Sequence, residues 1–452
     1  MSSILFSLWL VLFYYAILPN GAPLTLNYLA LLMWFGTMVY VIPKKTNFTI
    51  LAIPILFGFT FTGISTFFVE NNSLFLSEIR QEASPTGALS RTISLCAFIV
   101  LSALQSFLVF EKIKTISPQT PIIPHKISKL LLYFLLNVYI LIIYILILTF
   151  VIYGHPNDYN VDRFYYWNHI APKWIEYLKF LSTQLSIFIG LLFSLTKRKK
   201  YIFIFLLGLC ALALVGEKFT GIFFTSLTFC IPIVVLSKKH INFFKLITDV
   251  KFLVILSIFS LFLFINIYLS YASISGSDVA ASRFVDRLAL QSQLWWSLDQ
   301  LTSFNGQPLQ IIKTNFLGVD NPDKFTQGIF FIMYLVSPEN VYSWFVDQEI
   351  NMTMGGPINL AYFFGYYWSP LIASLMGIIL GFFYSILCKA ILLKDIVLMF
   401  LALKGVDAIF RAIVMGDGFY LLSMKAILTV CVFILYTIIS YYFYYLNKTK
   451  TI

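Results

Sequence analysis

Runs of apolar residues long enough to cross a lipid bilayer recur along almost the whole chain, and that repetition limits the fold more than any motif does. A hydrocarbon core of about 30 Å takes roughly 20 residues of helix to cross. About twelve such runs can be counted, near 3–18, 24–43, 49–69, 92–110, 130–152, 174–195, 201–215, 221–237, 252–271, 359–388, 396–415 and 421–446. The seventh and eighth are short, and the tenth is long enough to tilt or break. Sixty per cent of the residues are hydrophobic, 11% are charged, and the mean hydropathy is +0.86. Water cannot be the main solvent for such a chain. The expected fold class is therefore an all-α polytopic membrane protein. The first run lacks a basic leader and a small-residue cleavage site, so it reads as an uncleaved span.

Charge gives the expected crossing pattern. With the N-terminus in the cytoplasm, the inner loops hold Lys44, Lys45, Lys112, Lys114, Lys126, Lys129, Lys197, Arg198, Lys199, Lys200, Lys238, Lys239, Lys245, Lys251, Lys389, Lys394, Lys448 and Lys450. Only Glu111, Asp249 and Asp395 accompany them. The positive-inside rule selects this orientation, with both termini cytoplasmic. The net charge of +11 is then a membrane-topology signal and does not imply nucleic acid. All five cysteines fall within apolar runs, so neither a disulfide framework nor a Cys/His metal cluster is readable.

Residues 272–358 stand apart as one large outer loop between the ninth and tenth spans, dividing the chain into 1–271, 272–358 and 359–452. Short helices are expected within it, including 281–296, the stretch "PLQIIKTNFLG", and "SPENVYSWF" with Ser337 as N-cap. The apolar piece 329–336 is too short to span and is expected to dip into the interface. No internal repeat is visible.

Three places carry chemistry-bearing side chains. In "ASRFVDRLALQSQLWW" Arg283, Arg287 and Gln291 fall at i, i+4 and i+8 on one helical face. Two guanidinium groups so placed suit an anion such as a diphosphate. The same pattern also fits an interfacial helix whose arginines snorkel while Trp295 and Trp296 join an aromatic belt, with Asp286 neutralising Arg283. In "GEKFTG", 216–221, Glu217 and Lys218 sit in a tight turn between two short spans, a carboxylate placed to act as general base beside an ammonium. A hairpin tip in water is the alternative. In "KGVDAIFRAIVMGDGF", Lys404, Asp407 and Arg411 form one stripe of the eleventh helix. Ionisable groups at that depth face a bundle interior or a wet cavity. Lys404 with Asp407 reads as a structural charge pair, Arg411 as the functional group, and Asp417 lies at the outer rim. Arg80 and Arg91 bracket another outer loop, Arg91 at the mouth of the fourth span. His155 and His169 lack metal-ligand spacing, and "GIILG" (377–381) is a helix-packing motif. No Walker loop, HExxH or nucleophile elbow is present.

With twelve expected spans, inner termini and one large late outer loop, the chain resembles the bacterial O-antigen polymerases, the Wzy-type oligosaccharide repeat-unit polymerases. The local matches are the arginines of "SRFVDRLALQSQLWW", the Gly-basic turn "GEKFTG", and the Gly-Gly-Pro entry "GGPINLAYFFGYYWSP". The acidic residue that often follows that proline is missing, since Leu360 to Phe364 include no carboxylate. The resemblance implies an inner-membrane glycosyltransferase that joins undecaprenyl-diphosphate-linked oligosaccharide units at the periplasmic face without metal, nucleotide sugar or other cofactor. It implies a lipid bilayer environment, a chain-length regulator as partner and no nucleic acid. Leaving-group charge would fall to Arg283, Arg287, Lys218, Arg411 and Arg91. The acceptor proton would go to Glu217, with Asp286 in reserve. Trp295, Trp296 and Trp344 would offer stacking faces to sugars. A ligase of the same class, a lipid-linked oligosaccharide flippase and a proton-coupled transporter are the rival readings.

Overall fold

The computed structural model describes residues 3–18, 24–113, 125–161, 163–217, 219–237, 249–250, scattered positions between 253 and 286, 289–352 and 354–449. Arg283, Arg287, Lys218 and most of the expected ninth span lie outside the described residues. The described chain is helical, apart from one two-stranded hairpin. In order come α1 (Ser3–Ile17), α2 (Leu24–Val41), α3 (Thr46–Asn72), β1 (Phe75–Leu76), β2 (Gln81–Glu82), α4 (Ala88–Lys112), α5 (His125–Tyr153), α6 (Arg163–Tyr165), α7 (Lys173–Thr196), α8 (Lys200–Leu214) and α9 (Phe219–Val235). After the partly described segment follow α10 (Gln293–Leu301), α11 (Leu309–Ile311), α12 (Gly328–Val336), α13 (Glu339–Asp347), α14 (Ile358–Leu393), α15 (Ile396–Phe410), α16 (Phe419–Leu422) and α17 (Met424–Thr449).

Seven of the described helices are long and apolar enough to cross a membrane: α2, α3, α4, α5, α7, α14 and α17. About twelve spans are expected from the apolar runs; the ninth lies mostly outside the described residues, and four others fall short in length. Helices α1, α8 and α9 are apolar but have 15, 15 and 17 residues. At 1.5 Å per residue, a 15-residue helix reaches about 22 Å. Helix α15 is equally short, and a π-turn at Arg411–Met415 extends it.

Helices α4 and α14 form the tightest pair. Gly377 and Gly381 of "GIILG" lie on the carbonyls of α4, where an added Cβ would stand 2.3 Å from Ile99 O and 2.1 Å from Ala103 O. With little to gain from hydrophobicity in lipid, helices associate by such close approach. The start of α4 is held by Glu70 of α3. Its Oε1 accepts from Gly87 N (2.9 Å) and Ala88 N (3.1 Å), and its Oε2 from Asn27 of α2 (2.8 Å). A carboxylate there answers the unpaired N–H groups and the positive end of the helix dipole.

Helix α14 is broken at Gly365, whose φ of 76° and ψ of 160° lie outside the range open to other residues. The break frees backbone groups, and the loop segment 303–307 pairs with them. Tyr366 N donates to Ser303 O and Gln307 N to Phe363 O. Helix α10 is clamped beside this break. Arg91 of α4 grips Asp299 through Nε (2.9 Å) and Nη2 (2.5 Å), and Tyr366 donates to the same carboxylate. Asp299 is almost wholly buried, and removing one partner of such a pair costs about 3–5 kcal/mol.

The two ends of the bundle differ in charge. Lys45 pairs with Glu111 (2.8 Å), Lys389 donates to Phe110 O (2.7 Å) and Ile113 O (3.0 Å), and Ser128 donates to Lys394 O (3.0 Å). These contacts bring lysine-bearing links together at one end. Residues 289–357 cover the other. There α12 packs one apolar face on α10 and the core, so 329–336 belongs to the loop cluster. Helix α13 begins after Pro338, and Ser337 Oγ, buried without a partner, does not serve as its cap.

Candidate functional site

Ionisable side chains gather at the loop-covered end of α7, α9 and α15. Glu217 precedes α9, in a turn where Gly216 adopts φ 86° against Pro156. Its Oε1 accepts from Lys179 Nζ of α7 (2.8 Å), and its Oε2 from Arg163 of α6 (3.1 Å). Lys179 is 4% exposed, lies 4.6 Å above the Trp167 ring, and has Glu176 one turn earlier at 3.9 Å. Arg163 is the more open partner, at 26%. The turn is therefore no free hairpin tip. It is the centre of a four-residue ion network contributed by three elements.

Helix α15 reaches α7 through one member of its stripe, Lys404. Lys404 Nζ donates to Gln184 Oε1 of α7 at 2.7 Å, and six residues on, Phe410 meets Phe224 of α9 edge to face at 5.6 Å. Lys404 and Asp407 were expected to pair. Instead Asp407 turns to Arg411, at 3.4 Å from its Nε, because i,i+4 overlies the two side chains while Lys404 is drawn across to α7. Arg411 opens the π-turn, and its Nη1 lies 3.4 Å from Tyr420 OH with the guanidinium over that ring. Both contacts are at the long limit of hydrogen bonding. Arg411 keeps 37% of its side chain exposed and Asp407 41%. π-turns inside helices are frequent at functional sites.

Asp417 closes the arrangement. It is buried below α12 and accepts from Ile329 N at 3.0 Å, a cap for that helix. Burial pushes its carboxyl up to about 7, against the lowering effects of the Ile329 N–H and Arg411.

Several expected site residues are elsewhere. Trp295 and Trp296 are buried, and their indole N–H groups donate to Gly356 O (3.0 Å) and Ser84 O (2.7 Å). They anchor α10 to the Gly-Gly-Pro turn and to the loop before α4, so they expose no face for stacking a sugar. Arg91, expected to hold a diphosphate, is spent on Asp299 and on Thr86 O (2.6 Å). Trp344 is 51% exposed on α13 and keeps an open face. Asp286 is helical and exposed. His155 and Asp158 cap a local turn, and His169 lies tilted against the Tyr165 ring. Among the described residues no three His, Cys, Asp or Glu side chains converge to hold a metal.

Lys179 and Gln184 carry no motif in the sequence, and Arg163, in the loop flanked by His155 and His169, reads there as a solvated residue, whereas the fold pairs it with Glu217. A lysine within the apolar run 174–195 is itself a signal, since ionisable groups inside spans seldom lack a partner or a function. The partner, Glu217, is 38 residues away and cannot be found by spacing.

The model of a family of unknown function, DUF6418, matches residues 322–431, a stretch that includes α14, the α15 stripe and Asp417. No curated protein and no solved structure matches the chain.

Proposed function

We infer that this protein is a membrane glycosyltransferase that polymerises oligosaccharide units carried on a lipid diphosphate, undecaprenyl diphosphate in bacteria. One observation carries the reading. Two ion-paired groups, Arg163–Glu217–Lys179 and Asp407–Arg411, lie towards the loop-covered end, and Lys404 of α15 reaches Gln184 of α7. Glycosyl transfer from a lipid diphosphate needs this kind of surface. The acceptor hydroxyl oxygen bonds to the anomeric carbon as the bond from that carbon to the diphosphate oxygen breaks. The electron pair leaves with the lipid diphosphate. Fixed cations outside bulk water stabilise that developing charge more than any other contribution.

In this scheme Arg411 faces the leaving diphosphate, since its loose contacts leave guanidinium donors free. Glu217 takes the hydroxyl proton. The incoming hydroxyl competes with half-open Arg163 for Oε2, while buried Lys179 keeps Oε1 fixed. Trp344 supplies an exposed ring for sugar. Arg283, Arg287 and Lys218 belong to the same proposal through the sequence resemblance alone. The working face is assigned to the periplasm of the bacterial inner membrane, with the lysine-rich end and both termini cytoplasmic.

The test is the gel pattern of surface glycan in cells lacking the gene. A polymerase defect leaves single repeat units on their acceptor, and a plasmid copy restores the ladder. Glu217→Gln and Arg411→Ala are expected to reduce long chains at least about tenfold at equal membrane abundance. A normal ladder in the deletion strain refutes the reading, and complete loss of attached units points to a ligase.

A further inference from the structure

Between the buried helix α10 and the ring of Phe316, the chain crosses the bundle at the break in α14. Both ends of this strap are fixed. Asp299 is held by Arg91 of α4, and Phe316 packs on Phe363 and Phe364 at 5.0 and 5.6 Å. In the middle Gly306 and Gly365 meet backbone to backbone, and a Cβ on Gly306 would stand 2.5 Å from Gly365 N. Ser303 O and Phe304 O accept from Tyr366 N (3.3 Å) and Tyr367 N (3.4 Å). The strap nevertheless leaves apolar side chains uncovered. Leu301, Phe304 and Leu309 are 46%, 45% and 80% exposed. No Asp, Glu, Lys or Arg occurs between Asp299 and Lys313, and the polar side chains exposed there, Ser303, Asn305 and Gln310, are all neutral.

Two helix ends set the depth of the strap. Tyr14 and Tyr15, in the last turn of α1, donate to Tyr366 O (3.0 Å) and Tyr367 O (2.8 Å). Arg91, in the first turn of α4, lies 5.2 Å from the Tyr366 ring. The break in α14 is therefore level with the boundary at which these apolar helices stop. Beyond it α14 leaves Tyr367, Trp368, Leu371 and Leu375 exposed, the flank by which a spanning helix meets lipid. The Phe304 ring lies 5.5 Å from that of Tyr367 and continues this flank. Tyrosine and tryptophan at such a level form the aromatic belt of a membrane interface.

We propose that residues 301–309 are an interfacial anchor: Phe304 and Leu309 enter the boundary between headgroups and acyl chains, and the bilayer covers this face of the loop cluster. One exposed leucine would need no explanation. Three apolar side chains on a charge-free strap, fixed at both ends and continuous with a lipid-facing helix flank, make a surface for insertion. The backbone fits the same environment. Irregular chain at membrane depth must have its polar groups answered by protein, and the N–H groups freed at the break find carbonyls in the strap. The dip expected at 329–336 is thus placed at 301–309, because α12 buries its apolar face on α10 whereas the strap leaves its own open. The anchor holds whatever reaction the protein performs.

The test measures depth. In a background without native cysteines, a nitroxide is attached at Leu309→Cys or Phe304→Cys in the full-length protein, reconstituted in phosphatidylcholine vesicles. Its relaxation is read with oxygen, which concentrates among acyl chains, and with a nickel chelate, which stays in water. Leu371→Cys is the lipid reference. Asp320→Cys is the water reference, at a side chain 70% exposed. The ratio of oxygen to chelate effect at 304 and 309 is expected to stand with that at 371 and well above that at 320. It is expected to be the same in phosphatidylglycerol vesicles, because the strap carries no charge.

A ratio at 309 equal to that at 320 overturns the anchor, since the strap then faces water. Protection from both reagents overturns it as well and assigns the face to protein, a second copy or another chain. Insertion confined to phosphatidylglycerol overturns apolar anchoring in favour of attraction through Lys313. With so much of its side chain outside the core, Leu309 can be replaced without opening the fold, so the 309 label decides alone if Phe304→Cys does not fold.

Discussion

Asp417 shows how one buried carboxyl ties the loops to the helices. Its pKa of about 7 lies above that of an exposed aspartate, since burial outweighs the Ile329 N–H and Arg411. A raised value means that the fold favours the protonated form. The stability it contributes is full below about pH 4 and is lost as pH rises through about 7. Asp417→Asn keeps an oxygen for Ile329 N and removes the titration. It is expected to raise the melting temperature at pH 8 by a few degrees and to change it little at pH 5. A melting curve of the variant that keeps the wild-type fall between pH 5 and pH 8 counts against this assignment. At the same scale, the stripe Lys404, Asp407, Arg411 was legible from spacing, but its pairing was not. Spacing allowed Asp407 either neighbour, while Lys404 goes to Gln184, 220 residues from it in sequence.

Helix α14 was expected from its apolar run, and its packing glycines were readable as a motif. What they pack on was not. Gly377→Leu places a branched side chain where even a Cβ meets Ile99 O at 2.3 Å. Overpacking against backbone cannot be relieved by a rotamer change. The variant is expected to lose at least about 3 kcal/mol or to fail to accumulate, read by thermal melting and size-exclusion recovery. The same substituent at the next residue, Ile378→Leu, is the control, because Ile378 is 42% exposed. Helix α10 teaches the converse. Its two tryptophans looked like an open aromatic surface, because sequence shows side chains but not the lid over them. Arg91 and Asp299, 208 residues apart, close that lid.

For the whole molecule, the proposed crossing pattern puts 289–357 outside and the Lys45, Lys389 and Lys394 end inside. In a background without native cysteines, Gln300→Cys is expected to react with an impermeant maleimide added to spheroplasts, and Lys199→Cys only after the membrane is opened. The opposite labelling inverts the topology and removes the polymerase reading with it. The residues that share the loop-covered end come from α6, α7, α9 and α15, so the site exists only once the bundle has closed.

Composition and run length alone determined that this chain is helical, bound for lipid and basic at one end, because each of those properties is local and additive along the chain. Only the tertiary structure decided which of its charges are spent. An ion pair depends on distance in space, and the helices that bring Glu217 to Lys179, Arg91 to Asp299 and Lys404 to Gln184 are far apart in sequence. For the same reason Lys404 donates to Gln184 of α7, while Asp407 turns to Arg411 four residues along its own helix.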